Sequence, residues 1–152
     1  MQLKPTSNIT EVIQALQALQ NKGTNMRPVF AKIANELLNI TEESFESETS
    51  PWGEPWQPLA EATIAQKAKA GKDTRILRRD NEMAENFTTS YDNTSATISN
   101  NTKSKKGYPY PAVHQFGSDK IPARPFLPFD NDGDIPDKLN KSILDLIVKH
   151  FG

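Results

Sequence analysis

At 152 residues, with 36% apolar and 24% charged residues and a mean hydropathy of -0.65, the chain is sized for one polar domain with a modest core. A net charge of -1 leaves no global field to draw it onto nucleic acid or an acidic membrane, and the lack of cysteine excludes disulfides and thiolate metal sites. No apolar run approaches membrane-spanning length and residues 1–5 carry no apolar signal core, so the expectation is a soluble product of a reducing cytoplasm. Burial this thin also predicts support from neighbouring subunits.

Residues 8–20 read as an amphipathic helix. Asn8 followed by Glu11 resembles a capping box, and Ile9, Val12, Ile13, Leu16 and Leu19 share one face. Gly23 is a plausible stop. A second helix restarts near Asn25 with Pro28 in its first turn, where proline is tolerated, and Val29, Ile33, Leu37 and Ile40 form its stripe to about Glu48. So short a link between two helices predicts an antiparallel hairpin.

Residues 49–59 hold Pro51, Pro55 and Pro58 with both tryptophans, Trp52 and Trp56, an irregular loop whose indoles sit over the helical hairpin or against a partner. An alanine-rich helix is expected over 60–70 and another helical stretch over 75–87. Residues 88–101 turn polar, and Ala96-Thr97-Ile98 alternates as a strand does. A basic turn follows over 100–107.

The stretch from Ala112 to Phe129 gathers His114, Phe116, Arg124, Phe126 and Phe129 among three prolines. Prolines lack an N–H and fix φ, so this segment is expected to run extended, with apolar anchors and one cation suited to contact, and to finish at Leu127–Phe129 as a strand beside Ile98. A C-terminal helix over 135–151 buries Leu139, Ile143, Leu146, Ile147 and Phe151. The sum is an α+β fold: N-terminal helical hairpin, small antiparallel sheet, C-terminal helix.

Candidate chemistry fails on spacing. Asp130, Asp132 and Asp134 open like a calcium loop, but Ile135 stands where glycine is needed and Lys141 where a bidentate glutamate is. Glu42, Glu43, Glu46, Glu48 and Glu54 could hold a hydrolase pair, yet four lie on one helix as a solvated face. His114 has no thiol or serine elbow to serve, which leaves it a structural hydrogen bond or a contact. Lys103, Lys105 and Lys106, with Arg75, Arg78 and Arg79, could touch phosphates, Tyr108 and Tyr110 stacking on bases; as solvated surface they need no ligand. No catalytic residue, metal site or cofactor is expected.

Phe45-x-x-Glu48, then Pro51-x-Gly53-x-x-Trp56-x-Pro58-Leu59, then Thr63 and Lys67, form an ordered set. It continues through Ile76-Leu77, His114-Gln115-Phe116-Gly117 and Pro122-Ala123-Arg124-Pro125-Phe126-Leu127. Over about residues 25–150 this resembles the phage virion-morphogenesis family of tail-completion proteins. The chain departs from it at Asp80-Asn81-Glu82-Met83, where a glycine turn is usual, although Asn81 can take the left-handed conformation glycine would supply.

The resemblance implies one morphogenesis domain over 1–152, a structural part of a tailed phage or prophage acting in tail completion or head–tail joining. It also implies contact with other tail or neck proteins, a homo-oligomeric ring, and work in the host cytoplasm and then in the virion. Trp52, Trp56, His114, Phe116, Arg124, Phe126 and Phe129 are the expected contact residues. Arg124 would reach a carboxylate or backbone carbonyls of a partner, or form a salt bridge within the chain. A nucleic-acid accessory protein using the turn Lys103–Lys106 is the alternative reading, and a wall hydrolase the weakest.

Overall fold

The computed structural model describes residues 8–151. In chain order the elements are α1 (Thr10–Asn21), α2 (Met26–Ser47), α3 (Glu61–Lys69), α4 (Glu82–Glu85), β1 (Phe87–Tyr91), β2 (Ala96–Asn100), α5 (Tyr110–Phe116) and α6 (Asp137–Phe151). The two strands pair as an antiparallel hairpin, closed by Asp92, whose carboxylate accepts the N–H groups of Thr94 and Ser95. The fold is α+β, with two helices, α1 and α2, at the N-terminal end and a helix at the C-terminal end. Among the described residues no helix is long and apolar enough to cross a membrane.

Two compact units emerge from this chain. The first comprises the described residues up to Ile40, Thr89–Ile98 and those from Pro128 onward; the second comprises Thr41–Thr88 and Ser99–Leu127.

Helical periodicity builds the first unit. Val29, Ile33, Leu37 and Ile40 of α2 bury together with Val12 and Leu19 of α1, and α6 supplies Leu139, Ile143 and Ile147 to the same cluster. The closest packing of α1 is on α6. Each fully buried aliphatic side chain here contributes about 1.5–3 kcal/mol. Helix α1 ends as expected at Gly23, whose φ of 78° lets Thr24 donate back to the Leu19 carbonyl.

Asn8 does not cap α1. Its side chain instead behaves like a strip of backbone: Oδ1 accepts the Ile135 N–H at 3.0 Å and Nδ2 donates to the Ile135 carbonyl at 2.6 Å. The acidic stretch before α6 is likewise occupied by itself, since Asp130 accepts the N–H groups of Asp132 and Asp134.

The second unit packs around aromatic rings. Phe45, at the end of α2, meets Trp56 edge-on at 5.3 Å between ring centroids, and Phe87 and Phe126 at 5.6 and 5.5 Å. Such pairs add about 0.5–1.5 kcal/mol beyond area burial. The chain leaves α2 through Glu48, a non-glycine residue with φ of 54°. That conformation lets the Glu48 carbonyl accept the Trp56 N–H at 2.9 Å while its carboxylate accepts the Ile76 N–H, also at 2.9 Å.

The structure departs from the sequence expectations at three places. Residues 75–87 form one helix on paper, but Leu77 and Asn81 have φ of 61° and 60°, and only the single turn of α4 remains. Residues 112–116, expected to be extended, lie in the helix α5. Pro111 sits in the first turn of α5, where a missing N–H costs nothing, and no proline interrupts the rest. The strand expected at Leu127–Phe129 is absent, and β2 pairs with β1. Pro125 and Pro128 have no N–H to give a ladder, and the intervening N–H groups of Phe126 and Leu127 are both taken by Gln115 Oε1 at 2.9 Å.

Candidate functional site

Helix α5 sorts its side chains by i, i+4 spacing. Pro111 and Gln115 are buried, Tyr110 and His114 line a cavity, and Ala112 and Phe116 are exposed. Gln115 fixes the following loop: beyond the two N–H groups it accepts, its Nε2 donates to the Leu127 carbonyl at 3.3 Å. Gly117 then turns the chain at φ of 78°. A Cβ there would stand 2.9 Å from the Ala123 nitrogen and 3.1 Å from the Ile121 oxygen, so the return of the loop requires glycine.

The turn returns Arg124 to α5, where its N–H donates to the His114 carbonyl at 2.7 Å. Its guanidinium is buried, with Nε donating to the Gln57 carbonyl at 2.8 Å and Nη2 to the Pro58 carbonyl at 3.4 Å. The planar fork thus meets backbone carbonyls of its own chain. Burial pushes its pKa below the usual arginine value.

The cavity beside it has a volume of about 480 Å³. Lys67 of α3, itself buried, also lines it and donates from Nζ to the Arg75 carbonyl at 2.9 Å. Burial lowers the Lys67 pKa, partly offset by Asp73 and reinforced by Arg79 and Arg124. His114 has a buried Nδ1 with no hydrogen-bond partner. Its pKa is also lowered, first by burial and then by Arg124 and Lys67.

Of the expected contact residues, Trp52 and Phe116 are exposed, at 38% and 55%. Trp56 and Phe126 are core residues, and Trp56 Nε1 donates to the Pro125 carbonyl at 2.7 Å. Trp56, Arg124 and Phe126 are thus buried in this chain, and of the three Arg124 lines the cavity. Phe129 is half-buried against the first unit's core.

The basic residues divide as well. Arg75 pairs with Asp73 at 2.7 Å, and the buried Arg78 pairs with Glu46 at 3.1 Å and lies over the Phe45 ring. Arg79, Lys103 and Lys105 are exposed around the cavity. Lys67 is the member that sequence reasoning left out of the site; its signal was a lysine set among alanines, together with its place in the family pattern.

A model of the phage virion morphogenesis family matches residues 7–152. The chain belongs to the phage virion morphogenesis family. Among curated relatives of the family, the Mu-like prophage FluMu G protein 1 of Haemophilus influenzae is 31% identical over 124 residues, covering 79% of this chain and 81% of that protein. No solved structure matches the chain. The matched span contains Lys67, His114 and Arg124, so the cavity lies within the family region and not in an appendage to it.

Proposed function

We propose that this family member is a structural part of a tailed phage or prophage that acts in tail completion or head–tail joining, through protein–protein contacts and without chemistry of its own. The observation that carries the reading is the family match, which runs through both units from residue 7 to 152 and supports treating them as one morphogenesis domain. The 31% identity to a Mu-like prophage G protein supports a prophage setting. Exposed Trp52 and Phe116 supply the kind of aromatic anchors that protein interfaces use, and Phe116 stands at the end of a helix fixed by Gln115 and Gly117.

Assembly would take place in the host cytoplasm against other tail or neck proteins, with a closed homo-oligomeric ring as the form expected from symmetry. The experiment is in vitro complementation: purified protein added to a lysate from an induced prophage lacking the gene should restore infectious particles. A Phe116→Asp variant, which changes an exposed side chain and not the core, should fail to restore them. Full restoration by that variant would remove Phe116 from the contact surface.

A nucleic-acid reading is favoured by Arg79, Lys103 and Lys105 around one cavity. It weakens because Arg75 and Arg78, its other cations, are paired with Asp73 and Glu46. Salt-dependent retention on DNA that disappears when Lys103, Lys105 and Lys106 become alanine would favour it over the assembly reading.

A further inference from the structure

We propose that the cavity around Lys67, His114 and Arg124 is a binding site for a side-chain carboxylate on an acidic segment of a partner protein. This deepens the assembly reading and rests on it for the partner being a protein.

Charge is the first argument. The lining carries five cations, Lys67, Arg79, Lys103, Lys105 and Arg124, against two carboxylates, Asp80 and Glu82. Asp80 is already bridged to Lys72 at 2.6 Å. Burial sharpens the imbalance. Lys67 and Arg124 are 7% exposed, yet among the described residues neither has a carboxylate within ion-pair distance. Their donors meet the carbonyls of Arg75, Gln57 and Pro58, which satisfy hydrogen bonds without neutralising charge. Buried charges are ordinarily paired, so two buried cations on one cavity are a pairing left for a ligand.

His114 adds a polar atom with the same need, since its Nδ1 is buried without a partner beside those cations. A carboxylate in the cavity would accept a hydrogen bond there and favour the imidazolium, which burial, and then Arg124 and Lys67, disfavour.

Shape then selects the class of anion. Leu59, Leu77, Met83 and the Tyr110 ring complete the walls. They suit the methylene stem of a glutamate more than a phosphate backbone. The volume of about 480 Å³ lies within the roughly 300–1,000 Å³ range of ligand-binding clefts. Asp80 and Glu82 in the same lining, on a chain of net charge -1, oppose a long polyanion.

The test is NMR of the full chain with labelled histidine, titrated at constant ionic strength with four probes: acetylated and amidated hexaglutamate, hexaglutamine of the same form, glutarate and inorganic phosphate. The chain has two histidines, so His150 on α6 serves as the internal reference. Hexaglutamate should move the His114 imidazole signals and leave His150 in place, while hexaglutamine moves neither. Converting the exposed Lys103 and Lys105 to glutamine should weaken hexaglutamate binding about tenfold with an unchanged unfolding midpoint. Arg124→Lys should weaken it too, because lysine lacks the planar fork that holds the Gln57 and Pro58 carbonyls while leaving further N–H groups for the cavity.

A still His114 signal, or equal shifts with hexaglutamine, would overturn the proposal. Glutarate binding as tightly as the peptide would assign the site to a free dicarboxylate, and tighter phosphate binding to a phosphate ligand; either result overturns the protein partner. Failure of this titration leaves the assembly reading intact, because complementation of the deletion lysate tests that reading without reference to the cavity.

Discussion

Replacing Gln115 with leucine isolates the residue that holds the 124–128 loop against α5. The two side chains are close in volume, so packing changes little and the polar bonds are what is lost. The Phe126 N–H, which is buried, and the Leu127 N–H, which is partly buried, each lose an acceptor at 2.9 Å, and the Leu127 carbonyl loses its donor at 3.3 Å. A buried group left unsatisfied costs about 1–3 kcal/mol. The two N–H groups together therefore cost about 2–6 kcal/mol, a large part of the roughly 5–15 kcal/mol that stabilises a domain. Urea unfolding followed by tryptophan fluorescence is the direct assay, because Trp56 reports on this loop through its bond to the Pro125 carbonyl. Gln115→Glu should lie between wild type and leucine, keeping both acceptor bonds while losing the donor and burying a charge. A leucine variant within about 0.5 kcal/mol of wild type would refute the view that this side chain organises the loop.

The remaining predictions concern the same two units. His114 has a folded pKa below its ordinary 6.5, from burial and then Arg124 and Lys67. The unfolded chain thus binds more protons just below pH 6.5, so stability should fall as pH drops from 6.5 towards the folded pKa. His114→Gln should remove that slope in urea midpoints measured across the window. Trp56→Phe, which keeps an aromatic ring beside Phe45 but loses the 2.7 Å bond to the Pro125 carbonyl, should cost about 1–3 kcal/mol in urea unfolding followed by far-UV circular dichroism. Asn8→Ala removes both side-chain bonds to the Ile135 backbone and should cost about 1–3 kcal/mol; no change in midpoint would refute its bridging role. Gly117→Ala must place a Cβ 2.9 Å from a backbone nitrogen at positive φ, and should lower the thermal midpoint by several degrees.

Periodicity made the first unit legible. The stripe Val29, Ile33, Leu37 and Ile40 and the stripe Leu139, Ile143 and Ile147 are local signals, and both faces are buried as their spacing requires. Asn81 was also readable, since few residues tolerate the φ of 60° that it adopts. The second unit was harder because its order comes from bonds distant in sequence. Nothing near Phe126 reveals that Gln115 will take its N–H, so the segment reads as a strand. Proline density, counted without regard to position, hid a helix that accepts Pro111 in its first turn. Among the site residues, His114 and Arg124 stood out by type, whereas Lys67 enters the cavity only once α3 is folded beside Arg75.

The central claim, a structural role at tail completion or head–tail joining, is tested most directly by electron microscopy of lysates from an induced prophage with this gene deleted. The account predicts filled heads beside detached or irregular tails, with normal particles restored by the gene supplied in trans. Intact virions in normal numbers from the deletion strain would contradict it.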